Sequence, residues 1–208
     1  MMLPAPRVTQ GIAWATIAAF VLLFVSGSGA REAYAYMAGL VPARISGTIT
    51  VPGGFPIILT PITATLLHGS IAHLGFNMVM FYYLGRMVEG VLGSGRLLIL
   101  YVAGAYAAAF AEYIVSPEST VPVIGASGAV SAVLGAYAIY FGNRTAPSGR
   151  FLSSETRTVL WLAAAWIGLQ LLIGLVLNGP QGGIAIWAHI GGFIAGLVLA
   201  KPLATLRA

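Results

Sequence analysis

The chain has 208 residues, of which 59% are hydrophobic and only 7% are charged, and its mean hydropathy is +0.93. Soluble domains carry roughly 25% charged residues, so this composition excludes a soluble globular protein and indicates a polytopic membrane protein. The absence of cysteine and aspartate excludes a thiol nucleophile, disulfides and a Ser-His-Asp triad, and the net charge of +5 is interpreted as loop orientation rather than nucleic-acid binding.

Apolar runs follow one another along the chain and predict transmembrane helices. The runs cover, in order, residues 11–28, 70–88, 97–115, 125–141, 158–177 and 184–203. We therefore expect an all-α polytopic bundle that forms a single membrane domain of six spans over residues 1–208. An alternative interpretation of the first run is a cleaved signal peptide, because the run ends in small residues at 26–30.

The connection after the first run, about residues 29–59, is long and moderately apolar. It is interrupted by prolines and glycines, and it contains the aromatic residues Tyr34, Tyr36 and Phe55. Aromatic side chains favour the boundary between lipid and water. We therefore expect this first loop to lie in the membrane interface.

Basic residues alternate between the two sides of the predicted bundle. On one side lie Arg7, Arg86, Arg96, Arg144, Arg150, Arg157, Lys201 and Arg207. The opposite side carries only Arg31 and Arg44, both in the first loop. Cytoplasmic loops are enriched in Lys and Arg, so this distribution predicts that both termini are cytoplasmic.

Three polar residues lie near the starts of spans two, four and six, which are His73, Ser127 and His189. These spans all run from outside to inside, so the three residues are expected at one depth in the outer leaflet. Asn77 follows His73 by four residues and shares its helix face. Polar groups are costly in hydrocarbon and are a functional hypothesis there. The short fourth run also predicts that Ser127 lies below the membrane surface.

Small residues predict that spans four and six pack closely. Ser127, Ser131 and Gly135 form a stripe at spacing four, and Gly192 and Gly196 form another. Such stripes let helix backbones approach each other. If these two stripes face each other, Ser127 can reach the histidine of span six.

Four motifs occur in a fixed order: His68-x4-His73-x3-Asn77, Gly85-Arg86-x2-Glu89, Gly125-Ala126-Ser127-Gly128 and Ala188-His189-x2-Gly192-x3-Gly196. With this series the chain resembles the rhomboid intramembrane serine proteases over about residues 61–203. A Gly-x-Ser-Gly motif alone is weakly specific, whereas all four in this order are a strong signal. The resemblance implies a rhomboid-like bundle of six transmembrane helices.

The resemblance also implies a role for each candidate residue. Ser127 corresponds to the nucleophile and His189 to the general base of a Ser-His dyad. His73 and Asn77, with the backbone N–H of Ser127, correspond to the oxyanion hole. Gly125 would keep the approach open for the substrate backbone, so it is assigned to substrate binding. The resemblance implies no metal and no cofactor.

By the same resemblance, the expected partners are the lipid bilayer and transmembrane substrates, which are single-pass proteins cut near the top of their span. No nucleic acid is expected. His68 corresponds to a structural histidine, and span five to a proposed lateral gate. A prokaryotic inner membrane is expected, with the active site opening to the outer side.

The chain departs from the family pattern in two places. The position four residues after the nucleophile, often a tyrosine that stacks on the catalytic histidine, is Ser131. Trp187 and Tyr137 are candidates for orienting the imidazole instead. A Trp-Arg pair of the first loop is replaced by Leu59 and Thr60. Neither departure removes a reacting group, so an active enzyme is expected.

Three alternatives of other classes remain. Intramembrane histidines also occur in transporters and proton relays, although no inner-leaflet polar chain completes a route here. His73 and His189 could ligate a haem or zinc ion, which would leave Ser127 and its glycines unexplained. A catalytically inactive membrane chaperone of the same fold is the third alternative.

Overall fold

The structure is a computed structural model that describes residues 6–142, 153–177 and 183–205. Short 3-10 turns at Ile57–Leu59 and Ala64–Leu66 accompany its helices. In chain order the helices are α1 (Arg7–Val25), α2 (Ser28–Ala38), α3 (Pro42–Ile45), α4 (Thr60–Thr63), α5 (Ile71–Leu92), α6 (Ser94–Val115), α7 (Ser127–Phe141), α8 (Ser154–Leu177) and α9 (Ile186–Thr205). Of the basic residues used to predict orientation, Arg144, Arg150 and Arg207 lie outside the described residues.

Each predicted apolar run coincides with one of the long helices, α1, α5, α6, α7, α8 and α9, to within a few residues. The prediction of an all-α polytopic membrane fold is confirmed. In the described ranges three helices, α1, α6 and α9, are long and apolar enough to cross a membrane. The pair formed by Ile57–Leu66 and Ile71–Leu92, bent by 92°, raises that number to four. Six spans therefore stay a prediction, and α7, with 15 residues, is shorter than the roughly 20 that a full span needs.

Helices α6, α7 and α9 pack so closely that side chains are excluded at several glycines. A Cβ on Gly192 would overlap the carbonyl oxygen of Gly128, and one on Gly196 would overlap that of Ala132. The predicted contact between α7 and α9 is therefore present, but on α7 it begins along Gly128 and Ala132. Gly135 of the predicted stripe also takes part, because a Cβ there would overlap the carbonyl oxygen of Phe193. In the first two turns, however, the contact is one residue away from the predicted stripe, a rotation of about 100° around the helix. Ser127 consequently lies beside the contact, where it is open to a cavity.

Glu89, near the end of α5, holds the first turn of α1. Its buried carboxylate accepts the backbone N–H groups of Val8 and Thr9, both at 2.9 Å, and the Thr9 hydroxyl at 2.6 Å. The hydroxyl of Ser94 donates to the same carboxylate at 2.6 Å. The first N–H groups of a helix have no partner within the helix. Because Pro6 supplies no side-chain cap, Glu89 caps α1 from another helix. Through Glu89, the first turn of α1 is joined to α5 and to the start of α6.

The first loop contains more regular structure than its proline and glycine content predicts, since α2 and α3 lie within it. Buried Arg44 holds the loop together by donating to the carbonyl oxygens of Tyr36, Met37 and Phe55 at 3.3, 3.2 and 2.7 Å. Two of these carbonyls belong to the last turn of α2, where they have no partner within the helix. Arg44 therefore organises a loop that has Leu59 and Thr60 in place of the Trp-Arg pair.

The first loop is also joined to the segment that leads into α7. Leu40 and Val123 exchange backbone hydrogen bonds of 3.0 and 2.7 Å across an isolated β-bridge. Thr63 at the end of α4 donates its hydroxyl to the carbonyl oxygen of Ala38 at 2.5 Å. Both contacts anchor the loop beside the start of α7.

Candidate active site

Ser127 is the first residue of α7 and follows a turn that contains Gly125. The φ angle of Gly125 is +119°, a conformation that favours glycine, and its N–H donates to the carbonyl oxygen of Ala64 at 2.9 Å. The Nε2 atom of buried His68 lies 3.5 Å from the backbone nitrogen of Ala126, at the outer limit of a hydrogen bond. The segment before α5 thus fixes the direction in which the chain enters α7.

His189 meets Ser127 where α9 crosses α7. Its Nε2 atom lies 2.6 Å from the Ser127 hydroxyl oxygen, although the two residues are 62 positions apart in the chain. Gly192, three residues after His189, packs directly against Gly128, which brings the two backbones together. A serine hydroxyl within hydrogen-bond reach of an imidazole nitrogen can pass its proton to that nitrogen as the oxygen attacks.

His73 lies across Gly125 from the serine. A Cβ built on Gly125 would lie 2.7 Å from Nε2 of His73 and 3.8 Å from the Ser127 hydroxyl oxygen. His73 is the third residue of α5, and its N–H donates to the hydroxyl of the N-cap Ser70 at 3.1 Å. The ring of His68 packs edge-on against it, with 4.8 Å between ring centroids. The missing side chain at Gly125 therefore leaves a narrow gap between an imidazole and a hydroxyl.

Asn77 is buried one turn further along the same face of α5. Its side-chain nitrogen donates to the carbonyl oxygen of His73 at 3.0 Å. An amide nitrogen carries two hydrogens, so one is used within the helix and the second can serve a group in the neighbouring cavity.

These residues line a cavity of about 910 Å³ that is bordered by α5, α6, α7, α8 and α9. The residues predicted for catalysis, the oxyanion hole and substrate binding all contribute to its wall, and they are His73, Asn77, Gly125, Ser127 and His189. Trp166 and Leu169 of α8, the helix predicted as a lateral gate, also line it. The cavity is large enough for a peptide segment and water beside the hydroxyl.

Ser131, at the position of the family tyrosine, donates its hydroxyl to the carbonyl oxygen of Ser127 at 2.7 Å. This is the local bond to the preceding turn that serines in helices often make. Tyr137, suggested as an orienting residue, packs on Phe141 with 4.9 Å between ring centroids, two turns or more beyond the serine. Trp187, the other suggestion, is 41% exposed.

Glu112 is a polar residue of this site that the sequence motifs did not reveal. It lines the cavity from α6, and its Oε2 atom accepts the backbone N–H of Ala188 at 3.2 Å. A single acidic residue in the apolar third run was the available signal. Its partner, 76 residues away, could not be predicted from spacing.

A family model described as the Rhomboid domain matches residues 58–205. The chain belongs to the rhomboid family. It is 34% identical over 149 residues to the rhomboid protease GluP of Bacillus subtilis, covering 71% of this chain and 26% of that protein. It is also 34% identical over 141 residues to the rhomboid protease GlpG of an Enterobacter species, covering 66% of this chain and 46% of that protein.

A third relative, the rhomboid protease GlpG of Serratia proteamaculans, is 32% identical over 141 residues, which cover 67% of this chain and 46% of that protein. The chain thus spans about a quarter to a half of the length of these curated relatives. The rhomboid match contains all the candidate site residues. The resemblance inferred from the four motifs is confirmed, and membership of the rhomboid family makes this an integral membrane protein.

Proposed function

We propose that this rhomboid is an intramembrane serine endopeptidase that hydrolyses peptide bonds with a dyad of Ser127 and His189. The observation that carries the proposal is the 2.6 Å separation between the hydroxyl oxygen and the imidazole nitrogen. The names of the relatives, which are rhomboid proteases, agree with it.

In the proposed reaction, the Ser127 oxygen attacks the scissile carbonyl carbon while Nε2 of His189 takes the hydroxyl proton. The tetrahedral intermediate collapses as the C–N bond breaks, and His189 returns the proton to the leaving amine. Water then attacks the acyl carbon while it gives a proton to His189. His189 returns this proton to the Ser127 oxygen as its bond to the acyl carbon breaks, which releases the carboxylic acid and restores the hydroxyl. Without an aspartate in the chain, the imidazole works without the third member of a Ser-His-Asp triad.

We assign the oxyanion hole to His73, Asn77 and the backbone N–H of Ser127. The position of the His73 imidazole beside Gly125 and the second amide hydrogen of Asn77 support this assignment. A donor that meets the oxyanion in the transition state contributes about 10²–10³-fold to the rate. Gly125 serves substrate binding by leaving room for a peptide backbone between His73 and the serine.

The proposed substrates are single-pass membrane proteins, cut near the outer end of their span. A carbonyl in an intact helix is hydrogen-bonded and shielded, so the segment must unwind before the serine can attack. The basic residues outside the first loop support cytoplasmic termini and an active site that opens to the outer side of a bacterial plasma membrane.

The test is cleavage of a purified single-pass reporter in liposomes by the wild type, Ser127→Ala and His189→Ala. We expect the wild type to cut and both variants to lose activity by about 10⁴-fold or more. Ser131→Ala, which removes a hydroxyl one turn along the same helix, is the matched control and should still cut.

Equal cleavage by Ser127→Ala would show that the nucleophile is another group. Reporter binding without cleavage by the wild type would instead support the inactive chaperone.

A further inference from the structure

We propose that Glu112 is a positioning residue that caps the N-terminus of α9 from α6 and thereby holds His189 against Ser127. The inference rests on the proposed function for its kinetic part. Its structural part concerns one hydrogen bond, 3.2 Å long, between Oε2 of Glu112 and the backbone N–H of Ala188.

Helix α9 has no residue of its own that can cap its start. The preceding residues, Gly183, Ile184 and Ala185, carry no hydroxyl, amide or carboxylate group. Ser, Thr, Asp and Asn are the usual caps because their side chains accept an N–H of the first turn. Where such a residue is missing, the N–H groups need another acceptor or remain unsatisfied at a cost in stability.

Glu112 accepts the N–H that a local cap would accept. Ala188 is the third residue of α9, and the third residue is a usual donor to an N-cap side chain. Helix α5 provides the comparison, because the N–H of its third residue, His73, donates to the local cap Ser70 at 3.1 Å. Helices α5 and α9 are therefore both capped at their third residue, α5 by its own N-cap Ser70 and α9 by Glu112 of α6. The Glu112 carboxyl group also lies at the positive end of the α9 dipole.

Small residues make this long-range cap possible by bringing α6 and α9 into backbone contact. A Cβ on Gly191 would overlap the side chain of Ala111 and lie 2.8 Å from the carbonyl oxygen of Ala107. Glu112 is the next residue on α6 after Ala111. It therefore lies beside the first turn of α9 without having to extend across a gap.

The cap acts one residue away from the proposed base. His189 directly follows Ala188, so a shift of the first turn of α9 moves the imidazole with it. A displacement of about 1 Å can lower the rate by about 10²-fold, because proton transfer requires close approach of the two atoms. The position of the α9 backbone therefore contributes to the position of the imidazole beside Ser127.

Three substitutions of Glu112 separate the effect of its side-chain length from the effect of its charge. Glu112→Ala removes the acceptor, and Glu112→Asp keeps the charge but shortens the side chain by one carbon. Glu112→Gln loses the charge but keeps an oxygen that can accept the Ala188 N–H. The control is Glu118→Ala in the connection after α6, where the carboxylate accepts the Thr48 hydroxyl at 2.5 Å and does not line the cavity.

Two measurements on the full chain in liposomes test the proposal. The first is kcat and KM for the single-pass reporter. We expect kcat to fall about 10-fold or more in the Ala and Asp variants, while KM stays within about threefold of the wild type. The Gln variant should keep most of the wild-type kcat. The second is amide hydrogen exchange of residues 186–190, which should accelerate in the Ala and Asp variants but remain near wild type in Gln and in Glu118→Ala.

Unchanged exchange in the Asp and Ala variants would overturn the cap. A rise in KM at constant kcat would show that Glu112 binds substrate. An equal loss of kcat in Glu112→Gln and Glu112→Ala would show that the charge of Glu112 matters and not the length of its side chain. Accelerated exchange in the Ala and Asp variants, together with a wild type that does not cleave the reporter, would support the cap and overturn the proposed function. If the Ala variant fails to fold, the comparison of Asp with Gln still decides between these outcomes.

Discussion

At the scale of single residues, the proposed chemistry depends on a side chain that is missing. Gly125 separates the imidazole of His73 from the hydroxyl of Ser127, and a methyl group there would occupy the space between them. Attack on a carbonyl requires its carbon near the serine oxygen and its own oxygen near the hydrogen-bond donors. The space left by Gly125 lies between the Ser127 hydroxyl and the His73 imidazole, where the carbonyl group of a substrate would have to fit.

We therefore predict that Gly125→Ala strongly slows cleavage while the bundle still folds. The Cβ would lie 2.7 Å from Nε2 of His73, and alanine at a φ of +119° adds roughly 1–3 kcal/mol of strain. The measurements are cleavage of the reporter and the unfolding temperature. We expect kcat to fall by about 10²-fold or more, as for the loss of an oxyanion donor.

Gly75→Ala is the matched control, since a Cβ there meets nothing within 4 Å and alanine favours a helix by about 0.5–1 kcal/mol. It should leave cleavage unchanged. Normal cleavage by Gly125→Ala would remove the proposed role of this glycine.

At the scale of helices, capping from a neighbouring element ties the bundle together. Glu89 of α5 accepts N–H groups of the first turn of α1, and Glu112 of α6 accepts one of the first turn of α9. In both cases the residues before the capped helix offer no suitable side chain, Pro6 in one case and Ala185 in the other. A buried carboxylate that accepts several N–H and O–H groups is satisfied and links two helices at once.

We predict that Glu89→Ala destabilises the protein by about 3 kcal/mol or more. The substitution leaves the buried N–H of Thr9 without its acceptor, and likewise the partly buried N–H of Val8 and hydroxyl of Ser94. A buried unsatisfied group costs roughly 1–3 kcal/mol. The measurement is thermal or denaturant unfolding in detergent. The rate per folded molecule should fall much less than in Ser127→Ala, because Glu89 does not line the cavity.

Thr16→Val removes a hydroxyl that is bonded only to the preceding turn of α1, so it measures the loss of one local hydrogen bond. It should destabilise the protein less than Glu89→Ala does. A Glu89→Ala protein as stable as the wild type would mean that the α1–α5 link contributes nothing measurable.

The sequence could indicate the candidate site residues because each lies at or near the start of a helix with a distinctive motif. Ser127 begins α7, His73 is the third residue of α5, and His189 is the fourth of α9. The charge distribution predicts that these helix starts lie at one depth in the membrane. Helix rotation was less predictable, because small residues occur on neighbouring faces of α7, and the contact uses Gly128 and Ala132 as well as the predicted Gly135.

Other features depend on contacts between distant residues that no local pattern encodes. Helix α2 ends in a loop rich in proline and glycine, where its last carbonyl groups are held by Arg44, seven and eight residues later. The bond from Ala188 to Glu112 joins positions 76 residues apart. Both depend on how closely the elements pack, which the sequence does not reveal.

At the scale of the whole molecule, the cavity lies where a transmembrane substrate would have to unwind. It is bordered by α5, α7 and α9, which carry the proposed reacting groups, and by Trp166 and Leu169 of α8. A substrate helix that enters must give up its own hydrogen bonds before its carbonyl reaches Ser127.

We therefore predict that helix-weakening residues in the substrate accelerate cleavage. Replacement of Gly or Pro near the cleavage site of a reporter by Leu stabilises its helix, by about 1 kcal/mol for Gly and about 3 kcal/mol for Pro, and should slow cleavage correspondingly. The measurement is kcat/KM in liposomes for both reporters. A Leu substitution far from the cleavage site is the control, and equal rates for the paired reporters would contradict the need for unwinding.

The order in which the chain is made has a consequence for the assembly of the site. Ser127 is synthesised 62 residues before His189, so the proposed nucleophile is made before the proposed base. Glu112 also precedes α9 in the chain, so the proposed cap is made before the helix that it contacts. The proposed dyad can therefore form only once α9 has been made and has packed against α7.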